Sequence, residues 1–85
     1  MNATTPALPD VERLKWQCRR GMLELDYMLK DFLDDHYSAL PDTQKHDFVR
    51  LLDFPDQILH DWLMGHSVPR ESAMQDLVKR IRHLD

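Results

Sequence analysis

Trp16-Gln17-Cys18-Arg19-Arg20-Gly21-Met22-Leu23-Glu24-Leu25-Asp26, residues 16–26, holds one of only two glycines in the chain, with two cations before it and two carboxylates after it. A glycine between two helical patterns marks the end of one helix and the approach to the next, because without a Cβ it takes positive φ at little cost. Arg19 and Arg20 then fall in the last turn of the first helix, where free carbonyls concentrate negative potential. Glu24 falls in the first turn of the second, where a negative charge is favoured. The stretch is therefore expected to be a helix–helix corner whose charges suit the backbone ends beside them.

Working outward from this corner, the first helix is predicted over 11–20, with Asp10 as its capping residue and Val11, Leu14 and Cys18 as its inner stripe. Trp16 lies off that stripe; it either covers the next helix, the commoner outcome, or stands exposed as a partner anchor. The second helix is predicted over 22–36. Met22, Leu25, Met28, Leu29, Phe32 and Leu33 follow the i, i+3, i+4, i+7 rhythm, and Glu24, Asp31, Asp34 and Asp35 give it an acidic outer face. Pro41 and Asp42 open a third helix with Phe48, Leu51 and Leu52 on its apolar side. The D-F-P-D run at 53–56 breaks the pattern again. A fourth helix follows to about Met64 with Ile58, Leu59, Trp62 and Leu63 turned inward, and Gly65 is placed to end it. The last helix is predicted over 70–84, with Met74, Leu77, Val78, Ile81 and Leu84 in register.

Five helices, short connectors and no strand-like alternation predict an all-α fold, a compact single-domain bundle. Residues 1–9 carry two prolines, two threonines and no apolar period, and are expected to be a flexible arm ahead of a domain at 10–85.

The 85 residues are 42% hydrophobic and 31% charged, enough apolar content for one core and too short a chain for two. A net charge of −4 argues against a nucleic-acid module, which needs a basic surface to neutralise phosphates. The single cysteine, Cys18, suits a reducing compartment. No run approaches the length of a membrane span, and the N-terminal residues lack the features of a secretory or mitochondrial leader, so membrane insertion is not expected and a bacterial-type cytoplasmic location is. The five histidines, His36, His46, His60, His66 and His83, include no i, i+4 pair, and no H-E-x-x-H is present, so no metal site is expected. Nothing places a base near Cys18, and neither a G-x-G-x-x-G nor a P-loop is present, so no catalytic residue and no self-held dinucleotide are expected.

The run C-R-R-G-M-L-E-L-D, with Trp16 two residues ahead of Cys18, resembles the R-G-x-x-E signature of the SdhE (YgfY) family of succinate dehydrogenase flavin assembly factors. Phe32 and Leu33, Tyr37, Leu40, Lys45, Phe48, Leu51-Leu52, the W-L-M-G-H run at 62–66, and Pro69 stand at spacings similar to that family's. The likeness spans 13–69. It implies an assembly factor that promotes covalent attachment of FAD to the flavoprotein subunit of succinate dehydrogenase, or of the related fumarate reductase. FAD then belongs to the client. The chain itself is expected to be a monomer, with a weak homodimer through the same exposed corner as the alternative.

The partner-binding residues so implied are Trp16, Arg19, Arg20, Gly21, Glu24, Asp26, Met64 and His66. Gly21 permits close approach, Arg20 and Glu24 make polar contacts, and Arg19 adds a secondary one. Asp26 is either a contact or a solvated carboxylate; Met64 and His66 are either contacts or a core methionine and a loop histidine. The sequence is also compatible with a helical interaction regulator of antitoxin type and with a flavin transferase, which the missing nucleotide and nucleophile motifs disfavour.

Overall fold

The computed structural model describes residues 8–82, so most of the expected arm, together with His83 and Leu84, lies outside the described residues. Within them stand five α-helices, with no strand: α1 (Val11–Gln17), α2 (Leu23–Asp35), α3 (Asp42–Leu51), α4 (Asp56–Leu63) and α5 (Ser72–Arg82). A 3₁₀ turn at Tyr37–Ala39, not foreseen from the sequence, carries the chain from α2 towards α3.

The second helix is the centre of the bundle, in contact with α1, α4 and α5, while α5 also packs on α3 and α4. Its inward residues Leu25, Leu29 and Phe32 are fully excluded from solvent, and each contributes roughly 1.5–3 kcal/mol by leaving water. Phe32 and Tyr37 both meet Phe48 of α3, with ring centroids 5.5 Å and 5.4 Å apart. Leu14, Leu51, Leu59 and Leu77 close the same core from the other four helices. The Arg50 guanidinium joins Glu71 at 2.9 Å and Asp47 at 2.8 Å, but these ion pairs are exposed and add little to stability.

Helix ends depart from expectation in instructive ways. α1 stops at Gln17 with Cys18 as its cap, so Arg19 and Arg20 stand beyond the helix rather than in its last turn. The Arg19 N–H donates to the Trp16 carbonyl at 3.1 Å, a tight turn that ends the α-helical ladder early. Asp10 occupies the N-cap with an extended backbone but makes no side-chain cap bond. Pro41 and Pro55 sit at the N-caps of α3 and α4, with Asp42 and Asp56 in the first turns. Two residues expected inside lie at the surface: Val11 is 47% exposed and Ile58 38%. Gly65 ends α4 as expected: at φ +83° it donates to the Trp62 carbonyl, and His66 donates to the Asp61 carbonyl at 2.8 Å, the paired bonds of a Schellman turn.

Candidate docking surface

The corner after α1 is held from within by Arg20. Its Nε donates to Asp56 Oδ1 at 2.8 Å, Nη1 to the carbonyls of Gln17 and Leu52 at 2.8 Å each, and Nη2 to the Phe54 carbonyl at 2.7 Å. One planar fork thus satisfies free carbonyls at the ends of α1 and α3, spans the α3–α4 connector, and pairs with the first residue of α4. The side chain is 13% exposed, and these bonds occupy four of the five donors that a guanidinium possesses. What Arg20 offers a partner is the shape of the corner more than a free fork.

Asp26 completes the frame from the other side. From the first turn of α2 its two carboxylate oxygens accept the backbone N–H groups of Arg20, at 2.8 Å, and Gly21, at 3.1 Å. It is a carboxylate engaged in holding the connector, not a merely solvated one. Gly21 itself sits at φ +83°, the left-handed region foreseen, although it lies in the connector and does not cap α1. Space beyond its Cα is open: a Cβ there would meet nothing within 4 Å.

Outside this frame the surface is apolar and charged together. Trp16, at 68% exposure, does not cover α2; the Arg19 guanidinium lies over its ring, 4.7 Å from the centroid. Leu23 and Tyr27, one turn apart on α2, are 82% and 65% exposed. Glu24 stands between them in sequence, exposed, with no ion-pair partner among the described residues. An open groove of about 690 Å³ runs past Gly21, bounded by Lys15, Arg19, Leu23, Tyr27 and Lys30. Leu23 and Tyr27 were not singled out from sequence. Their signal was available: two large apolar residues at i and i+4, off the inner stripe and next to the glycine.

The second sequence block behaves differently. Met64 is half-buried against the core, and His66 is exposed beside His60, their ring centroids 6.2 Å apart. Neither lines the groove at Gly21. The thiol of Cys18 is buried at the base of α1, where desolvation pushes its pKa up to about 11; Arg20 pulls it down, and Asp26 and Asp34 add to the rise. Such a thiol is a packing group, not a nucleophile.

A family profile described as "Flavinator of succinate dehydrogenase" matches residues 12–85, nearly the whole chain. The chain belongs to this family. Among curated relatives, the FAD assembly factor SdhE of Coxiella burnetii is 41% identical over 73 residues, covering 86% of this chain and 89% of its own. That of Yersinia pestis is 43% identical over 70 residues, covering 82% and 80%, and that of Shewanella oneidensis 41% over 75 residues, covering 88% and 92%. The match includes the Gly21 corner and the groove beside it. None of the described helices is long and apolar enough to cross a membrane.

Proposed function

We propose that this protein is an FAD assembly factor that binds the flavoprotein subunit of succinate dehydrogenase, or of fumarate reductase, and promotes its covalent flavinylation. The observation that carries this reading is the outer face of the Gly21 corner, where Trp16, Leu23, Tyr27 and Glu24 are all exposed, Glu24 with no ion-pair partner among the described residues, in a chain of the flavinator family. Exposed aromatic side chains with a polar handle are what protein interfaces use as anchors. The bare Cα of Gly21 lets a partner backbone come close.

In this mechanism the corner is rigid before the client arrives. Arg20 and Asp26 fix the connector, so docking does not have to order it first, and the cost of association is lower for it. Glu24 supplies a charged hydrogen-bond acceptor at the rim, and Arg19, laid on Trp16, supplies the cation. The client contributes the FAD and the residue that becomes joined to it; this chain contributes position, holding the flavin-bearing part in a geometry competent for attachment. It works as a cytoplasmic monomer and performs no bond-making step of its own.

The test is covalent flavin on the succinate dehydrogenase flavoprotein, read by in-gel fluorescence in cells with the gene deleted and then restored. Flavin lost on deletion and recovered with the wild-type gene is the expected result. Flavinylation unaffected by deletion overturns the proposal.

A further inference from the structure

The fold brings together three side chains whose sequence spacing gives no metal motif. His60 and Asp61 lie in the last turn of α4, and His66 lies just past the Gly65 turn. One ligand atom from each of the three lies within 4.8 Å of the others. His66 Nδ1 is 3.8 Å from Asp61 Oδ1, and the histidine rings meet edge to face. The Schellman turn at Gly65 folds the chain back by one helical turn, so a six-residue separation replaces the familiar i, i+4 pair.

We infer that His60, Asp61 and His66 form a binding site for a divalent transition-metal ion of the zinc class. Two imidazoles and one carboxylate are a donor set suited to Zn²⁺ and poorly suited to Mg²⁺ or Ca²⁺, which prefer all-oxygen shells. Tetrahedral coordination at zinc distances sets ligand atoms about 3.3 Å apart, so the separations, none wider than 4.8 Å, need to close by no more than roughly an ångström and a half. His66 can supply that movement, its side chain being 66% exposed and free to rotate. Two features favour closure. The Gln57 amide donates to Asp61 Oδ1 at 3.1 Å, orienting the carboxylate from the preceding turn as outer partners of metal ligands do. The buried Nδ1 of His60 has no hydrogen-bond partner among the described residues. Water completes the fourth position. The ion would pin the loop leaving α4 to the helix, away from the Gly21 groove, whose lining shares none of these residues.

The experiment is a Zn²⁺ titration of the whole chain, followed by imidazole ¹H–¹⁵N signals and thermal unfolding, with His66→Gln, Asp61→Asn and Cys18→Ala alongside. The expected result is selective perturbation of the His60 and His66 signals and a rise in Tm on the order of 10 °C at a hundredfold excess over Kd. The rise persists in Cys18→Ala, shrinks several-fold in Asp61→Asn and His66→Gln, and is absent with Mg²⁺. Unmoved His60 and His66 signals, or an equal rise in His66→Gln, overturns the site.

Discussion

The two glycine corners have the same backbone and different surroundings. Gly21 and Gly65 both sit at φ +83°, the first directly after Arg20 in the chain and the second beside Arg82. At Gly65 the turn is a helix cap, and a Cβ would come within 2.6 Å of the exposed Arg82 guanidinium. At Gly21 the arginine is turned inward, bonded to three carbonyls and a carboxylate, and the outer side of the glycine is bare. The same conformation closes a helix at Gly65 and presents an open surface at Gly21. Glycine alone therefore does not distinguish an open corner from a helix cap; the face on which its supporting side chains lie does.

The arginines should separate the corners most sharply. Arg20→Ala strands the Gln17, Leu52 and Phe54 carbonyls and should cost about 3–5 kcal/mol in urea unfolding, a large part of what a small domain possesses. Arg20→Lys should recover little, because one ammonium cannot serve four acceptors spread across three elements. Arg82→Ala at the other corner should change stability by less than about 0.5 kcal/mol. A mild Arg20→Ala would mean that the inward frame is not what holds the Gly21 corner.

The thiol behind the Gly21 corner gives the next effect. Because burial raises the Cys18 pKa to about 11, the unfolded chain loses its thiol proton first. Stability from this group is therefore full below the ordinary thiol value and declines as pH rises towards the folded one. Between about pH 9 and 11 the loss should approach 2–3 kcal/mol, measured as the difference between wild type and Cys18→Ala so that lysines and tyrosines cancel. Equal alkaline curves for the two proteins would show the corner to be open to water.

The sequence made the helices legible because the apolar period in α2 and α5 is long and unbroken, and proline and glycine punctuate the rest. Its errors cluster at the Gly21 corner. Arg19 and Arg20 read as the last turn of α1, since their helix propensity and charge both suit one, yet α1 ends at Gln17. What shortens it is tertiary: Arg20 finds Leu52, Phe54 and Asp56, partners more than thirty residues away that no local pattern announces. For Asp26 the sequence left a partner contact and a solvated carboxylate open and did not suggest its third role, accepting the backbone N–H groups of Arg20 and Gly21 in the connector. Trp16 was legible as an off-stripe residue, with cover over the next helix favoured above the exposure that it shows. His60 and His66 went unpaired because periodicity along one helix does not extend through a turn that doubles back.

Glycine substitution tests the comparison at smaller cost. Gly21→Ala and Gly65→Ala should each lose about 1 kcal/mol to left-handed strain, seen as similar drops in Tm. Their effects on the client should diverge: a long side chain in Gly21→Arg has room in the folded domain yet fills the approach path, so it should block flavinylation while circular dichroism stays native. Gly65→Ala should leave flavinylation intact. Identical loss of function from both would reduce the Gly21 corner to another structural turn.

The smallest change in stability should accompany the largest claim about function. Glu24 is exposed and has no ion-pair partner among the described residues, so Glu24→Ala should shift stability by less than about 0.5 kcal/mol. The decisive measurement is covalent flavin on the succinate dehydrogenase flavoprotein in deletion cells supplied with this folded variant. Flavin is expected to stay several-fold below the wild-type level. Full flavinylation by Glu24→Ala would contradict the assignment of docking to the outer face of the Gly21 corner.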